Sequence, residues 1–231
     1  MNFELHGFGP ALAAGALMTV QLAVCALSLG LVLGLLGALA KTSSNRLLQW
    51  LGGTYSTLVR GIPELLWVLL IYFGTINAMH ALGQWLGMPE LELSAFAAGV
   101  IALGLCFGAY ATEVFRGAIL AVPKGHREAG LALGLSRPRI FVRVVMPQMW
   151  RIALPGLGNL FMVMMKDTAL VSVIGLEEIM RHAQIAVTVT KEPFTFYVVA
   201  AFMYLGLTII AMTGIHLLEK RAARGFTRSA Q

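Results

Sequence analysis

KGHREAGLALGLSRPRIFVRVVMP, Lys124 to Pro147, is a charged stretch set between long apolar segments, and its reading decides the fold. Leu131, Leu133 and Leu135 offer apolar contacts among the charges. Gly134 permits a backbone conformation closed to other residues, and Ser136 followed by Pro138 is a good start for a second helix. The stretch reads as two short helices about a turn, a shape that suits a partner's groove.

The segments on either side belong to a membrane. With 58% hydrophobic and only 12% charged residues, the chain is far from a soluble globular composition. From Ala11 to Ala40 there is no formal charge, a run longer than the ~20 residues needed to cross the hydrocarbon core. No basic region precedes it and Lys41 and Arg46 follow it, so it is expected to be a retained helix starting outside, not a signal peptide. Gly30, Gly34 and Gly37 recur on one helical face, which allows a neighbouring helix to pack closely.

A second span over about 50–79 is interrupted by Arg60, Gly61, Pro63 and Glu64. A broken or kinked helix is expected there, with its freed backbone groups turned to protein or a cavity and Glu64 inside the membrane. Gly83 to Glu92 reads as a polar outer turn. The third span covers 93–119, with Glu113 and Arg116 three apart and expected to form an ion pair. The fourth covers 152–176 and carries Lys166 and Asp167 near its middle, a costly place for charge. After a mixed polar connection from Leu176 to Pro193, the fifth covers 194–218.

Charge placement sets the orientation. Of 17 Lys and Arg, only Arg181 and Lys191 fall in outer loops when the N-terminus is outside, and Arg60 and Lys166 lie within or beside spans. The rest, including Lys220, Arg221, Arg224 and Arg228 of the tail, fall inside. That bias predicts an all-α membrane protein of five transmembrane helices, N-out and C-in, forming one domain over residues 1–231 with an inner loop at 120–151. The pI near 9.7 is explained by this topology and by anionic lipid, so nucleic acid is discounted as a partner. Cys25 and Cys106, both in apolar runs, are expected to be buried free thiols. The five histidines show no metal-ligand spacing. Trp50, Trp85 and Trp150 near span ends fit an aromatic belt.

No Gly-x-x-x-x-Gly-Lys-Ser/Thr loop, His-Glu-x-x-His or Gly-x-Ser-x-Gly occurs, so the chain is expected not to be an enzyme, and any ATP hydrolysis to occur on another polypeptide.

The spacing of Glu128, Ala129 and Gly130, then Gly134, then Val144, Met146 and Pro147, resembles the EAA loop of ABC importer permeases. Gly130, Val144 and Met146 stand for the usual alanine, isoleucine and leucine. RGIPELLWVLLIYFG (Arg60 to Gly74), GAYATEVFRGAI (Gly108 to Ile119) and KDTALVSVIGLEEI (Lys166 to Ile179) resemble further blocks of permeases for polar and basic amino acids, nearest the Q-type subunit of histidine or arginine/ornithine importers. The resemblance implies a type I importer fold in a bacterial inner membrane, with an ATPase dimer, a second permease subunit and a periplasmic binding protein as partners. No cofactor is implied in this chain; ATP and Mg would sit on the ATPase. It also implies that Glu128, Ala129, Gly130, Gly134, Arg137 and Pro147 couple the chain to that ATPase, Glu128 by fixing the loop through hydrogen bonds or charge pairs.

Glu64 stands where many relatives carry leucine. An acid inside the membrane wants a cation. One reading puts Glu64 and Asp167 in a midplane pocket for a basic amino acid, with Thr168 and Ser172 offering hydroxyls and Lys166 meeting the substrate carboxylate. The other pairs Glu64 with Arg60, and Asp167 and Lys166 with charges elsewhere. A permease for another solute such as glutamine or methionine, a secondary transporter or channel using the same charges, and a non-transporting scaffold subunit are the rival functions.

Overall fold

The computed structural model describes residues 5–86 and 93–222, and every regular element among them is helical. The polar turn expected at 83–92 lies mostly outside the described residues, as do Arg224 and Arg228. The elements are α1 (Gly9–Thr42), α2 (Arg46–Gly61), α3 (Glu64–Leu86), α4 (Ala95–Ala121), α5 (Lys124–Ala132), α6 (Arg137–Ile140), α7 (Met146–Asp167), α8 (Ile179–Thr190) and α9 (Pro193–Ala222). Four stretches are long and apolar enough to cross a membrane, and α2 with α3 makes the fifth as a bent pair.

The glycine face of α1 seats α4. A Cβ added at Gly30 would lie 2.6 Å from the Phe107 ring, one at Gly34 2.6 Å from Cβ of Ala111, and one at Gly37 against the Thr112 hydroxyl. Residue numbers rise together along both helices, so α1 and α4 run parallel, as a first and third span must when short loops join alternating crossings. Around α4 gathers the main core, with Leu103, Phe107 and Phe115 buried against Leu22, Met149, Leu157 and Val171.

The second span breaks where Gly61 and Pro63 predict. α2 and α3 meet at 105°. Proline in an X-Pro step disfavours the helical conformation of the residue before it, and Ile62 is extended at φ −112°, ψ 134°. Carbonyls at the end of α2 lose their helical partners, and the indole Nε1 of Trp67 donates to the Val59 carbonyl at 3.1 Å. Tyr55 anchors α2 to α4 by donating its hydroxyl to the Leu105 carbonyl at 2.8 Å.

At the opposite end of α4 the chain turns into the Lys124–Pro147 elbow. α5 ends in a Schellman motif: Leu135 N–H donates to Gly130 O at 3.0 Å and Gly134 N–H to Leu131 O at 2.9 Å. Gly134 takes the left-handed conformation this requires, φ +72°. Ser136 then occupies the N-cap position of α6 and Pro138 its first turn. Instead of ending, α6 runs through a π-turn at Phe141–Val145 into α7, so the second half of the elbow and the fourth span are one continuous helical rod.

The far end of that rod differs from expectation. Regular α-helix stops at Asp167, and the chain tightens into a 3₁₀ segment, Thr168–Ile174, closed by Gly175 at φ +89°. The segment from Leu176 to Pro193 is not a plain polar connection: it contains α8, which buries Ile179, Ala183 and Ala186 against α1 and α9. The buried Glu178 caps it, accepting from Arg181 N–H at 2.8 Å. Its other carboxylate oxygen accepts from the Tyr204 hydroxyl. The spacing of Ile179, Ala183 and Ala186 at i, i+4 and i+7 was a usable signal for this helix. α9 buries only Phe196 and Ala200, consistent with a helix whose surround is lipid or another subunit.

Candidate functional site

The break between α2 and α3 places Glu64 at the first turn of α3, facing α4 and α7. The end of regular α7 places Asp167 opposite. Both line one cavity of about 220 Å³, whose other walls are Leu103, Cys106, Phe107, Tyr110, Leu160, Val163 and Met164. It is a largely apolar hollow with two carboxylates and no basic residue in its lining. Apolar walls with a few placed polar groups are the usual composition of a small-molecule site.

Among the described residues neither acid has a cation within ion-pair distance. Tyr110 donates its hydroxyl to Glu64 at 3.3 Å. Arg60 does not pair with Glu64; its guanidinium lies over the Tyr110 ring, 5.1 Å from the centroid. That contact is a cation–π interaction. Tyr110 is thus shared between a cation and an anion, a role that no motif announced.

Other expected site residues lie elsewhere. Thr168 and Ser172 are buried and do not line the cavity. Their hydroxyls donate to Met165 O at 2.8 Å and Ala169 O at 2.7 Å, which satisfies them within the helix. Lys166 is exposed on the outer face of α7, roughly 100° around the helix from Asp167. Asn159 is exposed on the same helix two turns earlier. Cys106 is buried at the cavity, but Cys25 is exposed on α1, contrary to expectation.

Glu113 forms the expected pair with Arg116, Nε to Oε2 2.9 Å, and a second one with Lys41 that the sequence did not suggest. Lys41 also donates to Ser56 at 3.0 Å. This network ties α1, α2 and α4 together at the end of the bundle that carries the elbow.

At the elbow, Gly130 is buried, and a Cβ there would lie 2.9 Å from Ile140. Glycine in place of the third alanine is therefore what lets α5 close onto α6. Glu128 is exposed and makes no hydrogen bond or ion pair among the described residues, so it does not brace the loop from within. Arg137 and Pro147 are exposed, as are Leu131 at 54%, Leu133 at 79% and Val142 at 53%. The elbow is nonetheless rigidly seated. His126 Nδ1 and Gln148 Oε1 are 2.8 Å apart. Arg127 donates to the Ile119 carbonyl at 3.1 Å, and Phe115 stacks on Trp150 with centroids 5.4 Å apart. These contacts tie the elbow to α4 and α7, which with Glu64 of α3 wall the acidic cavity.

Comparison with known proteins agrees with this anatomy. Residues 30–224 match the family described as binding-protein-dependent transport system inner membrane component. The chain is 42% identical over 225 residues to the histidine/lysine/arginine/ornithine transport system permease protein HisQ of Escherichia coli (strain K12), covering 97% of this chain and 99% of that one. It is 47% identical over 210 residues to the arginine ABC transporter permease protein ArtQ of Haemophilus influenzae, covering 90% and 92%. Among solved structures, an amino acid ABC transporter crystallised with histidines superposes with a TM-score of 0.77 at 35% identity, covering 92% of this chain and 94% of that chain.

Proposed function

The chain belongs to the family of binding-protein-dependent transport system inner membrane components, and from that premise we propose that it carries basic amino acids inward as one permease subunit of an ATP-driven importer. As a transport subunit it is not itself an enzyme, and this membership removes the channel, secondary-transporter and scaffold readings.

The observation that carries the substrate assignment is the shared cavity. Glu64 and Asp167, distant in sequence, converge on one apolar hollow with no cation among its walls. Two partly buried acids with no cation beside them in the cavity are unfavourable, and a guanidinium, ammonium or imidazolium side chain would complete them with charge-assisted hydrogen bonds. The names of the relatives, with histidine, lysine, arginine and ornithine among their solutes, support the same class. Lys166, exposed and outside the cavity lining, is assigned to the second permease subunit, and Thr168 and Ser172, whose hydroxyls are satisfied by Met165 O and Ala169 O, are not assigned to the solute.

The partners are an ATPase dimer holding ATP and Mg, a second permease subunit and a periplasmic binding protein, with the elbow on the cytoplasmic side of a bacterial inner membrane. Exposed Leu133 and Leu131 supply apolar contact to the ATPase, and Glu128 and Arg137 supply charge. Ala129, Gly130, Gly134 and Pro147 shape the tip. ATP-driven closure draws the two elbows together and turns α4 and α7, exposing the cavity outward; hydrolysis reverses the movement. Because α6 is continuous with α7 and the turn at Gly134 is closed by hydrogen bonds, the stroke is transmitted along the fourth span.

Uptake of labelled arginine and glutamine by the complete transporter in proteoliposomes tests the assignment. Glu64→Leu and Asp167→Asn should each cut the preference for arginine by roughly tenfold or more, the worth of one hydrogen bond to a charged group. Unchanged selectivity in both variants refutes the pocket role.

A further inference from the structure

A second cavity, of about 440 Å³, opens at the elbow end of the bundle, between the end of α1 and the elbow. Its polar lining is Thr42, Ser43, Arg127 and Arg137, and no acid lines it. Arg127 uses one nitrogen on the Ile119 carbonyl, but its Nε is buried without a hydrogen-bond partner. Neither arginine has a carboxylate within ion-pair distance among the described residues. The Ser43 hydroxyl oxygen accepts from Asn45 N–H at 3.1 Å, which leaves its proton free to donate.

A buried guanidinium N–H without an acceptor is costly, and the planar fork of arginine matches phosphate oxygens. The rest of the cavity wall is apolar, Leu39 and Phe141 among it. Leu39 stands one turn from Leu36, which is 58% exposed on α1. The cavity thus sets two cations beside an apolar wall, one turn of α1 from an exposed leucine. A free anion would use only the cationic half.

We propose that this cavity holds the phosphate of an anionic phospholipid from the inner leaflet, with its glycerol and acyl chain against Leu39 and Phe141. The inference rests on the elbow facing the cytoplasm, where anionic headgroups and basic residues meet. The bound headgroup joins the end of α1 to the elbow, and through Arg127 to the end of α4, so it clamps the lever at its root.

Native mass spectrometry of the complete transporter complex with phosphatidylglycerol, phosphatidylcholine or inorganic phosphate tests it, independently of transport and of orientation. Wild type should retain phosphatidylglycerol over phosphatidylcholine by about tenfold, and Arg127→Gln with Arg137→Gln should abolish that preference. Equal retention of the two lipids, or a preference that survives in the double variant, overturns the proposal. Inorganic phosphate retained as well as phosphatidylglycerol overturns the lipid assignment. Arg127→Gln alone, which leaves Arg137 to the ATPase, should lose most of the preference for phosphatidylglycerol, and an unchanged preference in that variant also overturns the proposal. Should the variant fail to fold, photoactivatable phosphatidylglycerol on the wild-type complex must label residues 39–43 or 137–141; labelling confined to other segments is the contrary result.

Discussion

Replacing Gly134 by valine should uncouple ATP hydrolysis from transport while leaving membrane insertion intact. Gly134 sits at φ +72°, and nothing lies within 4 Å of where its Cβ would be. The penalty is therefore one of backbone conformation and not of crowding. For an L-residue the left-handed region costs roughly 1–2 kcal/mol, and a β-branched residue is at the unfavourable end. A cost of 1–2 kcal/mol lowers the population of the correctly turned elbow by roughly five- to thirtyfold. Asparagine tolerates the same conformation, so Gly134→Asn should retain most coupling. The assay is the ratio of arginine transported to ATP hydrolysed in proteoliposomes, with the amount of inserted complex measured alongside. Equal coupling in the valine variant and wild type, or an asparagine variant as defective as valine, refutes the reasoning.

Gly37→Val drives a side chain into Thr112 across the α1–α4 seam and should destabilise by about 1–3 kcal/mol, read as a lower melting temperature in detergent; an unchanged value contradicts the seam. Glu113→Gln removes the negative charge shared by Lys41 and Arg116 and one of the two oxygens that accept from them, and should cost about 1–3 kcal/mol. Adding Lys41→Met to it should recover part of the loss in a double-mutant cycle, and strict additivity of the two changes tells against the pair.

Much of this architecture could be read in the sequence because a membrane imposes simple rules. Unbroken apolar runs located the spans, and Gly61 with Pro63 located the break in the second. Gly30, Gly34 and Gly37 marked the face that receives α4. The elbow was legible from Gly134, Ser136 and Pro138, whose conformational limits act over a few residues. Illegible features depend on contacts between distant segments. Arg60 lies four residues from Glu64 yet is drawn to the Tyr110 ring, because the helix break removes the geometry that would pair them. Lys41 reaches Glu113 across 72 residues, and local spacing is silent on such a partner. Thr168 and Ser172 look like ligands by type, but in a 3₁₀ turn their hydroxyls are satisfied by nearby carbonyls. α8 was overlooked because its polar residues and the short gap before the last span mimic a loop.

The claim on which the mechanism depends is that the elbow is gripped by a separate ATPase. Leu133, 79% exposed at the tip, is the position to probe, with Cys25 and Cys106 replaced by alanine and a single cysteine introduced as Leu133→Cys. In membranes containing the complete complex, a short bifunctional thiol crosslinker should join this cysteine to the ATPase subunit in high yield, and the yield should change when ATP is added. A cysteine at 133 that is labelled by an impermeant reagent from the periplasmic side, and never joins the ATPase, contradicts the account.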